Sequence, residues 1–335
     1  MIKGIVFTEP GKACLTDIPE PALKPGGVII KLERSTISSG TERANLLGID
    51  RVSTGDEQPG FPRRVGYSSS GIIVDKADDV EGINVGDRVC ASWTTHSEYC
   101  ALNANRVTVI DDGMDFGEAA LVHICTFPLA AIRKTHLEIG ESAIVMGMGI
   151  LGMMAVKLLK VAGACPIIAV DPDPDKRKLA VKYGADFALD PFDADFAKKA
   201  VNLTGKGAKV GIEVTGLGAG LNGILDCMAK MGRVALLGCT RNSDFNVDYY
   251  GKVHGRGVSL IGAHTMARPK FESSSGLWTD YDDRAAKCKL LSLGRLDLGS
   301  MIEEVRSPAD ATEAYSRLAK ETVFPVVQFD WSRIK

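Results

Sequence analysis

Three glycines and one aspartate, at a fixed spacing, carry the clearest chemistry in this sequence. Gly147, Gly149 and Gly152 follow the pattern G-x-G-x-x-G, and Asp171 comes 19 residues after Gly152. The first glycine permits a tight turn, the second lets the backbone approach a pyrophosphate, and the third lets a helix pack close to a strand. An acid at this distance accepts hydrogen bonds from ribose hydroxyls. The spacing therefore predicts a dinucleotide-binding site.

The elements on either side of the glycines can position them for this chemistry. The segment SAIVMG has the pattern of a short buried strand, and ILGMMAVKLLKVAGA is apolar at helical spacing. A second strand, PIIAV, ends at Asp171. The helix would begin at Ile150 and Leu151, so its free N–H groups and partial positive charge would face the phosphates. A strand–helix–strand unit that binds no nucleotide is the alternative interpretation.

Asp171 also favours NAD over NADP as the cofactor. A carboxylate about 4 Å from a 2′-phosphate costs on the order of 4 kcal/mol per charge pair at an effective dielectric constant of about 20. The sequence that follows, PDPD at 172–175, contains no cation to offset that repulsion. Lys176 and Arg177 come later, in the first turn of the next predicted helix.

The overall composition limits the classes of function. With 335 residues, 45% of them hydrophobic and 24% charged, the chain has the size of about two soluble globular domains. A net charge of −2 gives no basic field for nucleic acid or anionic lipid. We find no apolar run long enough to span a membrane and no secretory signal pattern. Eight cysteines without a C-x-x-C pair are typical of free thiols in a reducing cytoplasm.

The periodicity of the sequence changes along the chain and predicts two kinds of domain. Short alternating or β-branched runs between Gly and Pro turns fill the first third and predict a compact, barrel-like domain. A Gly- and Pro-rich segment at 48–63 predicts a loop over a cleft. From about residue 142 to 262, strands and helices alternate, which predicts a parallel, doubly wound sheet. Pro128 predicts a break or kink in the helical pattern that precedes this sheet.

The segment from about residue 265 onward returns to mixed patterns. Helical spacing predicts helices at 282–293 and 308–320. The apolar run FPVVQFDW near the end predicts a strand. We expect this strand to return to the first domain and complete it.

Several short motifs occur in a fixed order along the chain. GDRV at 86–89 and SEYCALN at 97–103 precede the glycine turn, and KYGAD at 182–186, EVTG at 213–216 and GRVALLG at 232–238 follow it. In this order the chain resembles the medium-chain dehydrogenase/reductase family, the zinc-type alcohol dehydrogenase-like proteins. The resemblance implies an α/β fold with the cofactor in a cleft between two domains, and a homodimer or homotetramer.

The same resemblance assigns domain boundaries and cofactor contacts. It implies a GroES-like, β-rich catalytic domain of residues 1–125 and 266–335 and a Rossmann NAD-binding domain of residues 126–265. It places Thr126 against the nicotinamide, Lys176 at the adenine ribose and Ala263 at the carboxamide. The positions that it places near the ribose or the nicotinamide ring are Val214, Thr215, Gly216, Leu237, Gly238 and Cys239. We expect His264, after the last Rossmann strand, to touch cofactor or substrate.

The sequence departs from the family at the positions of the zinc ligands. Zinc-containing members carry Cys where this chain has Ser38, and His-Glu where it has Tyr67 and Ser68. A further ligand position falls on Val122, beside His123. Hydroxyl groups are poor ligands for Zn²⁺, and the four-cysteine lobe of the family is missing. We therefore expect no zinc at the usual place.

Without a metal, side chains must polarise the carbonyl group and exchange its proton. Tyr67 is the leading candidate, since its hydroxyl would take the place of a metal-bound imidazole; a tyrosine that only packs is the alternative. Ser38 and Thr41 would donate hydrogen bonds to the substrate oxygen, or else satisfy the backbone of a turn. His123 is a second candidate acid or base, against the alternative of a satisfied buried imidazole. We expect His96 at the domain surface.

The stretch TISSGTER resembles zinc-lacking branches of the family that include bacteriochlorophyllide dehydrogenase-like and sugar- or cyclitol-type dehydrogenases. Glu42, Arg268 and Trp278 would then line a polyol pocket, although Glu42 can instead pair with Arg43 and Trp278 can be a core or lid residue. We predict a zinc-independent, NAD-dependent dehydrogenase that interconverts a secondary alcohol and a ketone on a sugar, polyol or cyclitol-like substrate. The alternatives are an NAD(P)H-dependent enone or quinone reductase and a non-catalytic cofactor-binding protein.

Overall fold

The structure is a computed structural model that describes residues 1–49 and 60–334. Most of the loop predicted at 48–63 lies outside these residues. The strands are β1 (Ile2–Glu9), β2 (Lys12–Ile18), β3 (Gly27–Thr36), β4 (Arg63–Arg64), β5 (Ser68–Lys76), β6 (Arg88–Ser92), β7 (Tyr99–Asn103), β8 (Val107–Val109), β9 (Ala143–Met146), β10 (Ile167–Val170), β11 (Phe187–Leu189), β12 (Ala208–Glu213), β13 (Met228–Leu236), β14 (Ser259–Gly262), β15 (Glu304–Arg306) and β16 (Val327–Asp330). The α-helices are α1 (Ser39–Leu46), α2 (Phe116–Ala119), α3 (Val122–Lys134), α4 (Ile150–Val161), α5 (Pro174–Tyr183), α6 (Phe196–Thr204), α7 (Gly218–Cys227), α8 (Asp280–Ser292) and α9 (Ala311–Lys320).

The chain divides into two compact units. The first unit comprises Met1–Ile124 and Arg284–Lys335, and the second comprises Cys125–Asp283. The predicted boundary at 265/266 therefore differs from the observed one. Arg268 donates to the carbonyl of Thr126, and Asp283 pairs with Arg133, so the segment after 265 stays with the second unit.

In the first unit, one sheet runs in the order β15-β16-β3-β5-β6-β8, and β7 also pairs with β3. A smaller sheet has the order β2-β1-β4. The last strand confirms the predicted return, since β16 is antiparallel to β3 with Phe329 opposite Ser35. Apolar side chains from both ends of the chain share one core, which includes Ile30, Ile73 and Phe329.

The second unit is built on a parallel sheet with the order β11-β10-β9-β12-β13-β14. This is the doubly wound arrangement predicted from the alternating pattern. The strand order reverses between β9 and β12, and ligands bind at the carboxyl ends of strands at such a switch point. The loops that follow β9 and β12 at this point begin at Gly147 and Val214.

Two further features concern helices. Of the break or kink predicted at Pro128, the break does not occur, because α3 continues from Val122 to Lys134 with this proline inside it. In the part of the chain that the structure describes, no helix combines the length and the apolar character needed to cross a bilayer.

Candidate active site

The three glycines of the turn after β9 differ in backbone conformation and in the space that surrounds them. Gly147 has a φ of +99°, and a Cβ there would lie 2.9 Å from Cγ2 of Thr215. A Cβ on Gly152 would overlap the carbonyl oxygen of Gly147, so helix and turn can meet closely only at a glycine. A Cβ on Gly149, by contrast, would meet no heavy atom within 4 Å. The first and third glycines thus serve packing, and the second leaves open space above the helix N-terminus.

The N-terminus of α4 begins at Ile150, with Gly149 as its N-cap and no side-chain cap in the described structure. Its first N–H groups, which include that of Leu151, are thus left for a ligand. This is the arrangement that binds phosphate groups. The turn fits the pyrophosphate of a dinucleotide.

Asp171 directly follows β10 and is hydrogen-bonded to the glycine turn. Its Oδ2 accepts the N–H of Met148 at 2.8 Å, and its Oδ1 accepts the N–H of Asp173 at 2.9 Å. Each carboxylate oxygen keeps a second lone pair for a ribose hydroxyl. Asp173 caps α5 by accepting the N–H of Lys176 at 3.1 Å. Arg177 donates to the carbonyl of Asp171 at 2.7 Å and to Asp190 at 3.0 Å, so this cation is engaged within the unit.

A buried carboxylate, Glu213, shapes the loop after β12, where the resemblance places ribose contacts. It accepts the N–H of Thr215 at 2.8 Å, the N–H of Gly216 at 3.1 Å and the Thr215 hydroxyl. Burial raises the pKa of Glu213, while the hydrogen bonds from Thr215 and Gly216 oppose that rise. The motif EVTG contained this residue, but its spacing gave no sign of a supporting role. Val214, between these residues, donates its N–H to Met146 at 3.0 Å.

The loops after β12 and β13 approach each other through glycine. Gly216 has a φ of +66°, and a Cβ there would lie 2.6 Å from the carbonyl oxygen of Cys239. A Cβ on Gly238 would overlap the backbone N of Gly216. Leu237 is buried, whereas Cys239 is exposed. The structure thus brings the predicted positions 214–216 and 237–239 together.

Two positions follow the last strand of the sheet. Ala263 is buried and donates its N–H to Leu236 at 3.1 Å. His264 is exposed, and its Nδ1 accepts the N–H of Met266 at 3.2 Å. The exposed side chain leaves Nε2 as the ring atom that remains for a ligand.

Three other predicted residues take part in internal contacts of the second unit. Thr126 is fully buried, and its hydroxyl donates to Asp280 at 3.4 Å. Arg268 is nearly buried; it donates to the carbonyl of Thr126 at 3.3 Å and pairs with Asp280. The guanidinium of Arg133 lies over the ring of Trp278, 3.5 Å from its centroid. Arg268 and Trp278 thus take part in ion-pair and stacking contacts within this unit, and their contact with substrate stays a prediction.

In the first unit, the Tyr67 hydroxyl donates a short hydrogen bond to Oγ of Ser38. Ser38 is the N-cap of α1 and is buried, whereas Tyr67 is only partly buried. Ser38 makes no side-chain capping bond, so its hydroxyl is used for Tyr67. The phenol oxygen can therefore accept a hydrogen bond from a ligand while its own proton is directed at a buried serine. Two of the predicted catalytic residues meet here.

Aromatic rings surround this hydroxyl pair. The ring of His123, in the first turn of α3, lies edge-on to Tyr67 at 5.8 Å and to Trp93 at 5.1 Å, measured between centroids. The guanidinium of Arg106 lies 5.8 Å from the ring of Trp93. His123 is almost fully buried. Neither Trp93 nor Arg106 was marked by a sequence signal, because their contact arises from separate strands and loops.

The backbone around Tyr67 is held in place by unusual conformations on either side. Gly66 has a φ of +102°, and a Cβ there would lie 2.8 Å from the backbone N of His96. Trp93, with a φ of +60°, donates its N–H to the carbonyl of Tyr67 at 2.7 Å. A non-glycine residue in the left-handed region costs on the order of 1–3 kcal/mol and is enriched at functional sites.

Glu42 lies beneath the hydroxyl pair in a buried network. Its carboxylate accepts the N–H of Ser38 at 2.9 Å, Nε2–H of His96 at 3.1 Å and the hydroxyl of Tyr315 at 2.5 Å. Burial raises the pKa of Tyr315 well above its usual value, and the charge of Glu42 raises it further. His96 in turn contacts Ser35 through Nδ1 at 2.7 Å. Three donors surround Glu42, so the carboxylate positions its neighbours, and its contact with substrate stays a prediction.

The surroundings of Glu42 correct two smaller expectations. His96 is buried rather than at the domain surface. Arg43 does not pair with Glu42 but donates to the carbonyl of Leu318 at 2.6 Å. Thr41 lies in the first turn of α1 and is partly buried, and its carbonyl accepts a bond from Asn45 at 2.8 Å.

The side chains at the zinc-ligand positions do not fit a zinc ion. The Ser38 hydroxyl is paired with Tyr67, and the Ser68 hydroxyl donates to the carbonyl of Ala120 at 2.6 Å. Val122 offers no ligand atom. Within residues 1–49 and 60–334, no group of three or more His, Cys, Asp and Glu side chains is arranged to hold a metal. Neutral hydroxyls alone are poor ligands for Zn²⁺.

Comparison with known proteins agrees with this architecture. The alcohol dehydrogenase GroES-like domain matches residues 24–152, and the zinc-binding dehydrogenase domain matches residues 151–278. D-guloside 3-dehydrogenase of Escherichia coli (strain K12) is 26% identical over 94% of this chain and 95% of its own. L-threonine 3-dehydrogenase of Streptomyces coelicolor is 31% identical over 97% of both chains. The crystal structure of galactitol-1-phosphate dehydrogenase from Escherichia coli superposes with a TM-score of 0.85 at 16% identity, over 98% of this chain and 99% of that one. The chain therefore belongs to the medium-chain dehydrogenase/reductase family, among the zinc-type alcohol dehydrogenase-like proteins.

Proposed function

We propose that this member of the alcohol dehydrogenase family works without zinc and uses NAD to interconvert a secondary alcohol and a ketone. The observation that carries the proposal is the hydrogen bond from Tyr67 to Ser38, at the positions where the family resemblance implies zinc ligands. Two hydroxyls in series can move a proton where a metal would otherwise polarise the oxygen.

The turn after β9 and Asp171 would hold a nicotinamide cofactor, which would supply the hydride acceptor for an alcohol or the hydride donor for a ketone. The remaining task, the movement of the hydroxyl proton, falls to side chains of this chain. In the oxidation direction, the Tyr67 phenolate takes up the hydroxyl proton of the substrate, and the resulting neutral phenol holds this proton in its hydrogen bond to Ser38. In reduction, Tyr67 donates its proton to the carbonyl oxygen. His123, edge-on to Tyr67, helps to fix the phenol ring and is the second candidate for the proton.

The preference for NAD is supported by the charges around Asp171. The carboxylate is fixed by two backbone N–H groups and faces the position expected for the adenosine ribose. Arg177, the cation that could offset a 2′-phosphate, is bonded to Asp190 and to two carbonyl groups. Lys176 donates its backbone N–H to Asp173, and its side chain is left as the predicted contact to the ribose.

A polyhydroxylated substrate is supported by the D-guloside 3-dehydrogenase relative and by the polar side chains around Tyr67. Ser38 and Thr41 supply hydroxyl groups, and Arg106 over Trp93 adds a cation beside an aromatic ring. A sugar or cyclitol presents both hydroxyls and an apolar ring face, and this combination suits a site of that chemistry.

The test is a substrate panel with metal analysis of the same enzyme preparation. We expect NAD-dependent oxidation of sugars, polyols, glycosides or cyclitols by protein that contains less than stoichiometric zinc, with activity that survives treatment with a chelator. Loss of activity that zinc restores would contradict the metal-free mechanism. Turnover of enones or quinones with NADPH alone would favour the reductase alternative, and cofactor binding without turnover would favour a non-catalytic role.

Assembly and location complete the proposal. We expect a homodimer or homotetramer, which light scattering behind size exclusion would identify. A cytoplasmic location is expected from the eight cysteines, all of which the structure describes as free.

A further inference from the structure

Two buried thiols face each other in the first unit. Cys90 lies on β6 and Cys288 on α8, and their Sγ atoms are 3.8 Å apart. Cys90 is fully buried and Cys288 nearly so. The two residues are 198 positions apart in the sequence. The proposed reaction uses neither of them.

Two cations of α8 accompany this thiol pair. Arg284 and Lys287 are both fully buried, and Arg284 precedes Cys288 by one helical turn. The guanidinium of Arg284 donates to Oγ1 of Thr108 at 2.5 Å. Thr108 lies directly opposite Cys90 in the pairing of β6 with β8. The guanidinium that binds Thr108 is therefore held at the residue next to Cys90 in the sheet.

The surroundings make the two thiols chemically unequal. The hydrogen bond from Cys288 lowers the pKa of Cys90, and the charges of Arg284 and Lys287 add to this against the effect of burial. The same hydrogen bond and burial raise the pKa of Cys288. Nearby positive charge favours the thiolate, which is the form that reacts, and a second thiol in contact with it can complete a disulfide.

We propose that Cys90 and Cys288 are a modification site, a thiol pair that a peroxide converts into a reversible disulfide between β6 and α8. The Cys90 thiolate attacks one peroxide oxygen, the O–O bond breaks, and water leaves after the second oxygen takes up a proton. Cys288 then attacks the sulfur of the Cys90 sulfenic acid, the S–O bond breaks, and a second water leaves. The two thiols thus lose two electrons and two protons, and the peroxide is reduced to two waters.

The geometry requires a modest movement for this bond. The sulfur atoms must close from 3.8 Å to about 2.05 Å. A dithiol reductant reverses the reaction by exchange. Cys227 provides a matched control, since it is also fully buried but donates to the carbonyl of Gly223, and burial raises its pKa to about 12.

The experiment treats the full chain with hydrogen peroxide, blocks remaining thiols with N-ethylmaleimide in urea, and maps peptides by mass spectrometry. We expect a Cys90 peptide joined to a Cys288 peptide, formed at least about tenfold faster than any oxidation of Cys227. Dithiothreitol should release both peptides. The cross-link should persist in Cys227→Ser and disappear in Cys90→Ser and Cys288→Ser.

Peroxide treatment of the wild-type chain is sufficient to test the proposal, so the test does not depend on whether the variants fold. Both cysteines alkylated by N-ethylmaleimide, at a peroxide dose that oxidises the exposed Cys165 and Cys239, would refute it. So would a cross-link of Cys90 to a different cysteine. In chain unfolded by urea before the peroxide, the preference for the Cys90–Cys288 pair should vanish.

Discussion

The carboxylate of Glu42 accepts the backbone N–H of Ser38 at 2.9 Å. It thereby holds in place the residue that accepts the hydrogen bond of the Tyr67 hydroxyl. The same carboxylate binds His96 and Tyr315, which belong to the core of the first unit. The position of the hydroxyl pair proposed to hold the proton is thus fixed by a buried network.

Replacement of Tyr67 by Phe removes only the hydroxyl that we propose as the proton carrier. We expect kcat to fall by about 100-fold or more, since general acid–base catalysis contributes roughly 10²–10⁴-fold. The Kd for NADH, measured by fluorescence, should stay within about twofold of the wild-type value. Ser38→Ala should give a smaller loss of kcat, because Tyr67 itself remains. Wild-type turnover in the Phe variant would remove Tyr67 from the mechanism.

Replacement of Glu42 by Gln puts an NH₂ donor where the carboxylate has an acceptor oxygen. An amide NH₂ in place of one oxygen would face a donor from Ser38, His96 or Tyr315, so we expect a loss of about 1–3 kcal/mol in the free energy of unfolding. Tyr315→Phe removes one donor and should cost less. Urea unfolding gives both values, and kcat measured on the folded fraction should fall with Glu42→Gln. Equal stability of the two variants would show that the carboxylate does not organise the network.

The glycines of the turn after β9 allow a matched pair of substitutions. Gly152→Ala should destabilise the chain by several kcal/mol or prevent folding, because its Cβ would overlap the carbonyl of Gly147. Gly149→Ala meets open space at a φ of −78°, so its stability should change by less than about 0.5 kcal/mol. Its affinity for NADH should nevertheless fall, since the added methyl fills the approach of the pyrophosphate. Unchanged affinity in Gly149→Ala would place the dinucleotide elsewhere.

Asp171→Asn keeps the shape of the side chain and removes its charge. We expect NADH to bind about 10–100-fold more weakly, because a hydrogen bond to a charged group contributes roughly 1.5–3 kcal/mol. The affinity for NADPH should fall less, since the repulsion between the carboxylate and the 2′-phosphate also disappears. Fluorescence titrations with both cofactors measure the ratio. An unchanged ratio would contradict the role given to this carboxylate.

The ion pairs of Glu304 in the first unit should make the free energy of unfolding depend on pH. Arg317 binds it with two hydrogen bonds, at 2.9 and 3.0 Å, and lowers its pKa, and Arg306 lowers it further. A carboxylate with a lowered pKa stabilises the fold above its unfolded pKa of 4.5, and this contribution is lost as the pH falls through the folded value.

Glu304→Gln should therefore cost about 1 kcal/mol at pH 7 and less at pH 3. Urea unfolding at several pH values measures the difference. Lys178→Gln is a control, since its pair with Asp175 is exposed and should contribute little. A constant difference across the pH range would show that the ion pair is not responsible.

Regular periodicity made the second unit predictable from sequence. The strands of its sheet, the helix after Gly149 and the acid at the end of β10 follow local rules that a short window of residues contains. The return of β16 to β3 was also expected from its apolar pattern. The boundary near 265 was not, because it depends on long-range contacts of Arg268 and Asp283 that leave no periodic signal.

The site in the first unit was predictable only in part. Tyr67 and Ser38 stood out because they replace residues that bind metal in related proteins. The network under them could not be read from sequence, since Glu42, His96 and Tyr315 are far apart in the chain and meet only after folding. A buried acid looks like a surface acid in sequence until its donors are known.

The pairing of β16 with β3 has a consequence for synthesis of the chain. Gln328 bonds to Thr36 across 292 positions, with the whole second unit between them. During synthesis, all strands of the parallel sheet of the second unit therefore leave the ribosome before β16, the strand that pairs with Arg34–Thr36 of β3. Until β16 has been synthesised, that edge of β3 lacks this neighbour, and newly made chains are most prone to aggregate or to recruit chaperones during that interval.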